Sequence, residues 1–484
     1  MTNQKSLKIN AIANILKTLF SIIFPLITFP YISRVLGVET YGIYQFSNSI
    51  VVYFSYLAML GITTYAIRTG SAIRNDNKKL SKFINEVFSI NILSTIISYL
   101  ILVIVVMSVG KLLEYRLIIF VLSFSIIFTT LGMEWVLAIN EDYVYTSIRT
   151  VAMQIISIIL MFIFVKTQSD LLKYTIIATL ANCGANIINI FYVRKYCKAK
   201  FTFKLNIKEH IIPIMILFIN NISVIIYVNS DITLLGIING NTEVGLYSVS
   251  TKIYTIMKQV LNALTIVAIP RLTNLFYNNK IDEFKKMSNK IYTIIFAFLI
   301  PSSIGLFVLA PEIVNIISGE SYALSANSLR ILSVALIFSG LASYYSSAIL
   351  IPIKKEKQVL ISTIVAAVFN IVANLLLLPH FGSTGAAITT LISELIVTII
   401  LFTYCRSLKP KIERNSIIAT IIEFAFIVMT TIITKQYISN QLLLLVTIII
   451  IAITIFITVN ILLNTYVGEE IKKLLCRRKK YNDR

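Results

Sequence analysis

Apolar residues along this chain gather into long runs, and the polar stretches between them are short. The segment Leu442 to Asn460, for example, carries no charged side chain. A helix of about 20 apolar residues crosses a bilayer's hydrocarbon core. Fourteen such runs are read here, centred near Ile22, Phe54, Ser94, Phe124, Ile156, Asn182, Val224, Ile256, Phe298, Val334, Val368, Glu394, Ile427 and Ile453. The pattern predicts an all-α polytopic membrane protein with 14 transmembrane helices. Composition agrees: 57% of the 484 residues are hydrophobic and 13% charged, with a mean hydropathy of +0.84, whereas soluble domains carry roughly 25% charged residues.

The net charge of +21 changes meaning once its distribution is considered. With the N-terminus inside and fourteen alternating crossings, the inner segments collect 33 of the 43 Lys and Arg. This is the positive-inside bias, so both termini are expected in the cytoplasm, and the basic charge requires no nucleic acid. Cys183, Cys197, Cys405 and Cys476 fall in a span or on the inner face, where thiols stay reduced and disulfides are not expected. The first run is long and lacks a small-residue cleavage site, which marks it as a retained helix rather than a signal peptide. The basic tail from Lys472 to Arg484 suits an orientation signal and an anchor to anionic lipid.

Absent motifs narrow the chemistry. The chain has no G-x-x-x-x-G-K-[ST] phosphate loop, H-E-x-x-H pair, Cys/His metal cluster or G-x-S-x-G elbow, and only two histidines. ATP hydrolysis through a phosphate loop and the familiar hydrolytic chemistries are thereby excluded. A non-enzymatic secondary transporter without cofactor or metal is what remains.

Transporter folds are commonly duplicated. A shift of 203 residues lays "ETYGIYQFSNSI" (39–50) on "TEVGLYSVSTKI" (242–253), pairing Gly42 with Gly245, Tyr44 with Tyr247, and Ser47 with Ser250; it also pairs Arg68 with Arg271. Two six-helix lobes follow, 1–200 and 205–407, with two extra helices and the basic tail in 408–484.

Three cations remain inside spans: Lys17, Lys252 and Lys258. At 100° per residue, Ser248, Thr251, Lys252, Thr255, Lys258, Gln259, Asn262 and Thr265 fall within an arc of about 140°. The repeat-related helix carries Tyr44, Gln45, Asn48, Ser55 and Tyr56, and the first helix Asn10, Asn14, Lys17, Ser21 and Thr28. A lysine at mid-bilayer costs roughly 2.5 to 3.5 kcal/mol; three facing lipid would cost about 8 to 10, comparable to a domain's whole stability. A hydrated cationic cavity accepting an anionic cargo avoids that cost. The alternative is snorkelling or pairing with carboxylates, for which Asp231 on the preceding helix is nearest in sequence. Glu134 and Arg149 suit a structural ion pair. Glu394 and Glu423 are lone carboxylates able to hold a buried hydrogen bond or a coupling ion, and Asp231 joins Glu394 as a coupling-ion candidate. Arg68 and Arg271 mark inner helix ends, fit for anchoring or a first phosphate contact. His210 and His380 are assigned no role.

The segments "FPLITFPYISRVLGVETYGIYQFSNSI" (24–50), "GMEWVLAINEDYVYTSIRT" (132–150), "LGIINGNTEVGLYSVSTKI" (235–253) and "VFNIVANLLLLPHFGSTGAAITTLISE" (368–394) together resemble the Wzx-type polysaccharide repeat-unit flippases, of the superfamily that includes MATE exporters and the lipid II flippase. The resemblance implies a V-shaped, two-lobed bundle in the bacterial cytoplasmic membrane. It would move an undecaprenyl-pyrophosphate-linked oligosaccharide from the inner to the outer leaflet by alternating access, for capsule, O-antigen or similar glycan assembly, with polymerase and glycosyltransferases as partners. In such flippases basic residues on the first, second and eighth helices meet the pyrophosphate. Here that role falls on Lys17, Lys252, Lys258 and Arg34, with Arg68 and Arg271 at the entrance, while Asn14, Tyr44, Gln45, Asn48, Tyr56, Ser248, Thr251, Gln259 and Asn262 would face the sugars. The second helix lacks a cation before Arg68, a departure from the pattern. A MATE-like exporter of small cations is the rival reading, and it would want carboxylates rather than lysines in the cavity.

Overall fold

The structure is a computed structural model and describes residues 7–203, 206–266, 268–408 and 410–473. Helices occupy almost all of it, and by packing the chain divides into two compact units, Met1–Gly245 and Leu246–Arg484.

The first unit contains α1 (Leu7–Met59), α2 (Ile62–Ala72), α3 (Asn77–Ser108), the single turn α4 (Gly110–Leu113), α5 (Arg116–Gly132), α6 (Glu134–Ile139), α7 (Tyr143–Phe164), α8 (Leu171–Tyr192), α9 (Ile207–Ile238) and the start of α10 (Asn241–Ile266). α1 is broken at Gly37, where φ is 72° and ψ 176°. Only glycine adopts that backbone without a Cβ clash, so one apolar run occupies each arm. The second arm ends in a left-handed turn at Leu60 and Gly61. This would leave the last helical carbonyls without donors, and α3 supplies them. Asn91 Nδ2 and Ser94 Oγ donate to the Ala58 carbonyl at 3.0 and 2.6 Å, and further inside the helix Ser98 Oγ adds a bond to the Phe54 carbonyl at 2.7 Å. Polar side chains thus join helices where a hydrophobic driving force is missing in lipid. α9 belongs to this unit because it lies along α1: the Phe46 ring fills the space at Gly236, and Thr233 Oγ1 donates to Ser49 Oγ at 3.0 Å.

The second unit contains the rest of α10, α11 (Ile269–Tyr277), α12 (Ile281–Val308), α13 (Ala310–Ser318), α14 (Ser325–Ser343, continuing as a π-type segment to Leu350), α15 (Glu356–Cys405), α16 (Arg414–Tyr437) and α17 (Gln441–Leu462). α14 is its centre because its small residues admit close neighbours. Ser325, Ser328, Ser333, Ala335, Ser339 and Gly340 are buried. Gly340 lies under Leu299, Ser303 Oγ donates to the Ser333 carbonyl, and Thr398 Oγ1 donates to that of Phe338 at 2.7 Å. α15 breaks at Gly382 (φ 50°), and the bond from Thr389 Oγ1 to Asn374 Oδ1, 2.7 Å, ties its arms together. α16 and α17 are joined by Asn460 Nδ2, which donates to the buried Glu423 carboxylate at 2.6 Å. Of the two roles open to Glu423, the structure shows the hydrogen bond.

Eleven helical segments among the described residues are long and apolar enough to cross a membrane. The bent helices α1 and α15 each hold two of the fourteen apolar runs. α10, which holds the run around Ile256, falls below that apolarity because Lys252, Lys258, Gln259 and Asn262 interrupt it. Outward faces are oily: Ile97, Leu100 and Ile104 are 56%, 58% and 62% exposed, as surfaces solvated by lipid tails would be. Cys183, Cys197 and Cys405 are free thiols; Cys476 lies outside the described residues.

Candidate functional site

In the first unit the interior lysine lies on the first arm of α1. Lys17 Nζ donates to Glu134 Oε1 at 3.0 Å, and the same oxygen lies 3.4 Å from Arg149 Nη2. Glu134 opens α6 after a left-handed residue, Met133, and Arg149 sits in the second turn of α7. Arg149 is buried and its Nη1 also donates to the Ala185 carbonyl of α8 at 2.8 Å. The expected Glu134–Arg149 pair is therefore present and has a third member. Lys17 keeps 29% of its side chain uncovered and Glu134 43%, so this end of the cluster remains reachable.

In the second unit the interior cations lie on α10. Lys258 Nζ donates to Glu394 Oε1 at 2.5 Å, and the Tyr254 hydroxyl donates to the same oxygen at 3.0 Å. Glu394 is 5% exposed on the second arm of α15, whereas Lys258 is 30% exposed. Lys252 is half-buried with no carboxylate beside it among the described residues. The expectation that pairing partners are scarce, with Asp231 the nearest, is corrected for two of the three lysines. Their partners are 117 and 136 residues away in sequence, so chain proximity could not indicate them.

The polar stripes divide. On α10, Gln259 and Thr255 are exposed and Thr251, Lys258 and Asn262 half-buried, but Ser248 and Thr265 are buried. Thr251 folds back onto the Tyr247 carbonyl at 3.0 Å. On α1, Tyr56 is 37% exposed, Asn48 is half-buried and Gln45 donates to the Tyr41 hydroxyl at 3.0 Å. Tyr44 is a correction to its expected lining role: it is buried within the first unit, its ring 4.7 Å from that of Tyr174. Ser248 is corrected likewise, being 1% exposed. Both lie on the flank of a stripe whose width the helical wheel overestimates, because neighbouring helices cover its edges. The Asn14 side chain lies outside the described residues. Arg68 and Arg271 are exposed on the short helices α2 and α11, each of which follows a long helix. Arg34 is exposed on the first arm of α1, and Asp231 is buried in α9.

Sequence reasoning missed one cluster. His210, at the start of α9, is 2% exposed; its Nδ1 meets the Tyr65 hydroxyl of α2 at 2.7 Å and its Nε2 meets Glu86 Oε2 of α3 at 2.7 Å. The only available signal was a histidine and a glutamate each entering an apolar run, 124 residues apart.

Comparisons with known proteins fit this architecture. The lipid II flippase MurJ, in an inward closed conformation, superimposes with a TM-score of 0.74 over 96% of this chain and 99% of its own, at 16% identity; at that identity the likeness speaks for the fold. A proposed O-antigen transporter of Escherichia coli (strain K12) is 24% identical over 412 residues, covering 84% of this chain and 99% of its own. One of Shigella dysenteriae is 25% identical over 78% of this chain and 94% of its own. The sequence profile of the polysaccharide biosynthesis proteins matches residues 7–276, more than half of the chain and the span that holds Lys17, Lys252 and Lys258. The chain belongs to the polysaccharide biosynthesis protein family.

Proposed function

We propose that this protein is a flippase of the bacterial cytoplasmic membrane. It carries an undecaprenyl-pyrophosphate-linked oligosaccharide from the inner to the outer leaflet for capsule or related surface polysaccharide. Family membership and the O-antigen transporters among its relatives support the cargo class. One observation carries the anionic chemistry: Lys258 and Lys252, on one helix of membrane-spanning length, are half-buried, and Lys252 has no carboxylate beside it among the described residues. Such a charge is costly in lipid and is retained where it faces a polar cavity, and a phosphate is the partner that lowers its cost. A carrier of small cations would instead need uncompensated carboxylates beside the interior lysines, yet there Glu134 and Glu394 are occupied by Arg or Lys, and the buried Glu423 holds Asn460 between α16 and α17.

In this reading the chain crosses the membrane fourteen times with both termini cytoplasmic, as two six-helix lobes (1–200 and 205–407), α9 opening the second in chain order although it packs along α1, and two further helices. The pyrophosphate passes Arg68 and Arg271 and engages Lys258, Lys252 and Lys17, with Arg34 nearby. Gln45, Asn48, Tyr56, Thr251, Gln259 and Asn262 meet the sugars, and the lipid tail stays in the bilayer. Asp231 and Glu394 are the coupling candidates. Polymerase and glycosyltransferases act after and before it. Replacing Lys258 with Ala abolishes glycan export at unchanged protein level, read as lipid-linked oligosaccharide accumulating on the cytoplasmic face. The double variant Lys258→Ala, Glu394→Gln, which leaves no unpaired carboxylate, does the same. Normal export in both variants would sink the assignment.

A further inference from the structure

Each unit holds one interior lysine, Lys17 or Lys258, against a carboxylate, and the two carboxylates differ in what they keep if the lysine leaves. Glu134 is 43% exposed and retains Arg149 at 3.4 Å. Glu394 is 5% exposed, and Lys258 is the one cation within 4 Å of it among the described residues. Its other polar neighbours among the described residues are neutral: the Tyr254 hydroxyl at 3.0 Å from α10, Ser339 of α14 beside Tyr254, and Thr398 of its own helix, whose hydroxyl is turned to the Glu394 backbone carbonyl. Withdrawing the cation from such a site leaves a buried, uncompensated carboxylate, which is strongly unfavourable, and a carboxylate in that position neutralises instead.

We propose that Glu394 is a built-in stand-in for the cargo: it occupies Lys258 while the site is empty, yields it to the pyrophosphate, and takes up one proton as it does so. The inference rests on the reading that Lys258 binds pyrophosphate. The exchange balances. The Lys258 ammonium moves its hydrogen bond from Glu394 Oε1 to a phosphate oxygen and stays charged. A proton from water adds to Glu394 Oε2, and Tyr254 keeps donating to Oε1. When the anion leaves, the proton is lost and the pair re-forms. The empty protein therefore never holds Lys258 as a bare cation, and the loaded site is one charge less negative than cargo and protein summed. The first unit behaves differently, because Arg149 keeps Glu134 compensated when Lys17 turns away. Of the two lysine–carboxylate pairs, proton uptake therefore falls to Glu394.

The test uses the purified full chain in lipid nanodiscs and farnesyl-pyrophosphoryl-N-acetylglucosamine, a diester whose phosphates do not titrate near neutrality. Calorimetric titration in buffers of different ionisation enthalpy counts protons. The wild type is expected to take up close to one proton per probe bound, with affinity falling by up to about tenfold per pH unit as pH rises. Glu394→Gln is expected to bind several-fold more tightly, because the internal competitor is gone, with no proton uptake and a flat pH profile. Glu134→Gln is expected to keep the wild-type proton count. No proton uptake by the wild type, or weaker binding by Glu394→Gln, overturns the inference while leaving the pyrophosphate reading intact. Unchanged binding by the double variant Lys258→Ala, Glu394→Gln overturns that reading itself, and the inference with it.

Discussion

Two hydrogen bonds of 2.7 Å run from Tyr65 through His210 to Glu86, and so tie α2, α9 and α3 together at a point where all three side chains are buried. A leucine in place of His210 would fill similar space but take from a buried carboxylate and phenol the partner that joins them, leaving Glu86 with Lys82 at 3.9 Å. His210→Leu should therefore cost on the order of 3 kcal/mol or more, seen as a lower unfolding temperature of the purified protein in detergent. Double variants show the coupling: with Glu86→Gln and Tyr65→Phe already present, the same substitution should cost much less. The Lys17–Glu134–Arg149 cluster makes the same point about legibility. Its charge types and the Glu134–Arg149 pairing could be read from neighbouring segments, but Lys17 lies 117 residues from its partner, and nothing in a one-dimensional pattern brings it there.

Among the elements, the repeat read from sequence meets itself in space. Gly42 on the second arm of α1 and Gly245 on α10, paired by the 203-residue shift, lie against one another. A Cβ on Gly42 would come 1.9 Å from the Asn241 carbonyl oxygen and 3.0 Å from the Gly245 amide nitrogen, and one on Gly245 would come 2.1 Å from the Val38 carbonyl oxygen. The obstacles are backbone atoms, which cannot rotate aside. Gly42→Leu should thus exceed the roughly 1 to 3 kcal/mol typical of overpacking. The expected outcome is a sharp fall in folded protein, measured by fluorescence-detected size exclusion, whereas Gly110→Leu, with open space around it, should leave it unchanged. The sequence flagged both glycines as repeat-related but could not say that they touch. The polar stripe of α10 was equally half-legible: helical phasing grouped its residues, while the burial of Ser248 and Thr265 depended on which neighbours cover its flanks.

For the molecule as a whole, the proposed orientation rests on charge. If 33 of the 43 Lys and Arg mark the inner face, fusing a fluorescent protein to either end should give bright cells, and an alkaline phosphatase fused after Gly319 should be active. Dark fusions at both termini would reverse the topology. The sequence by itself determined the helical class, the apolar runs and the presence of interior lysines, because bilayer thickness and helical pitch act on contiguous residues. Tertiary structure alone decided that Gly37 and Gly382 bend two helices rather than end them, that Tyr44 is covered, and that Lys17 and Lys258 already hold a carboxylate. The physical reason is separation along the chain: Coulomb attraction and hydrogen bonding act over a few ångströms of space, between side chains that folding brings together from more than a hundred residues apart.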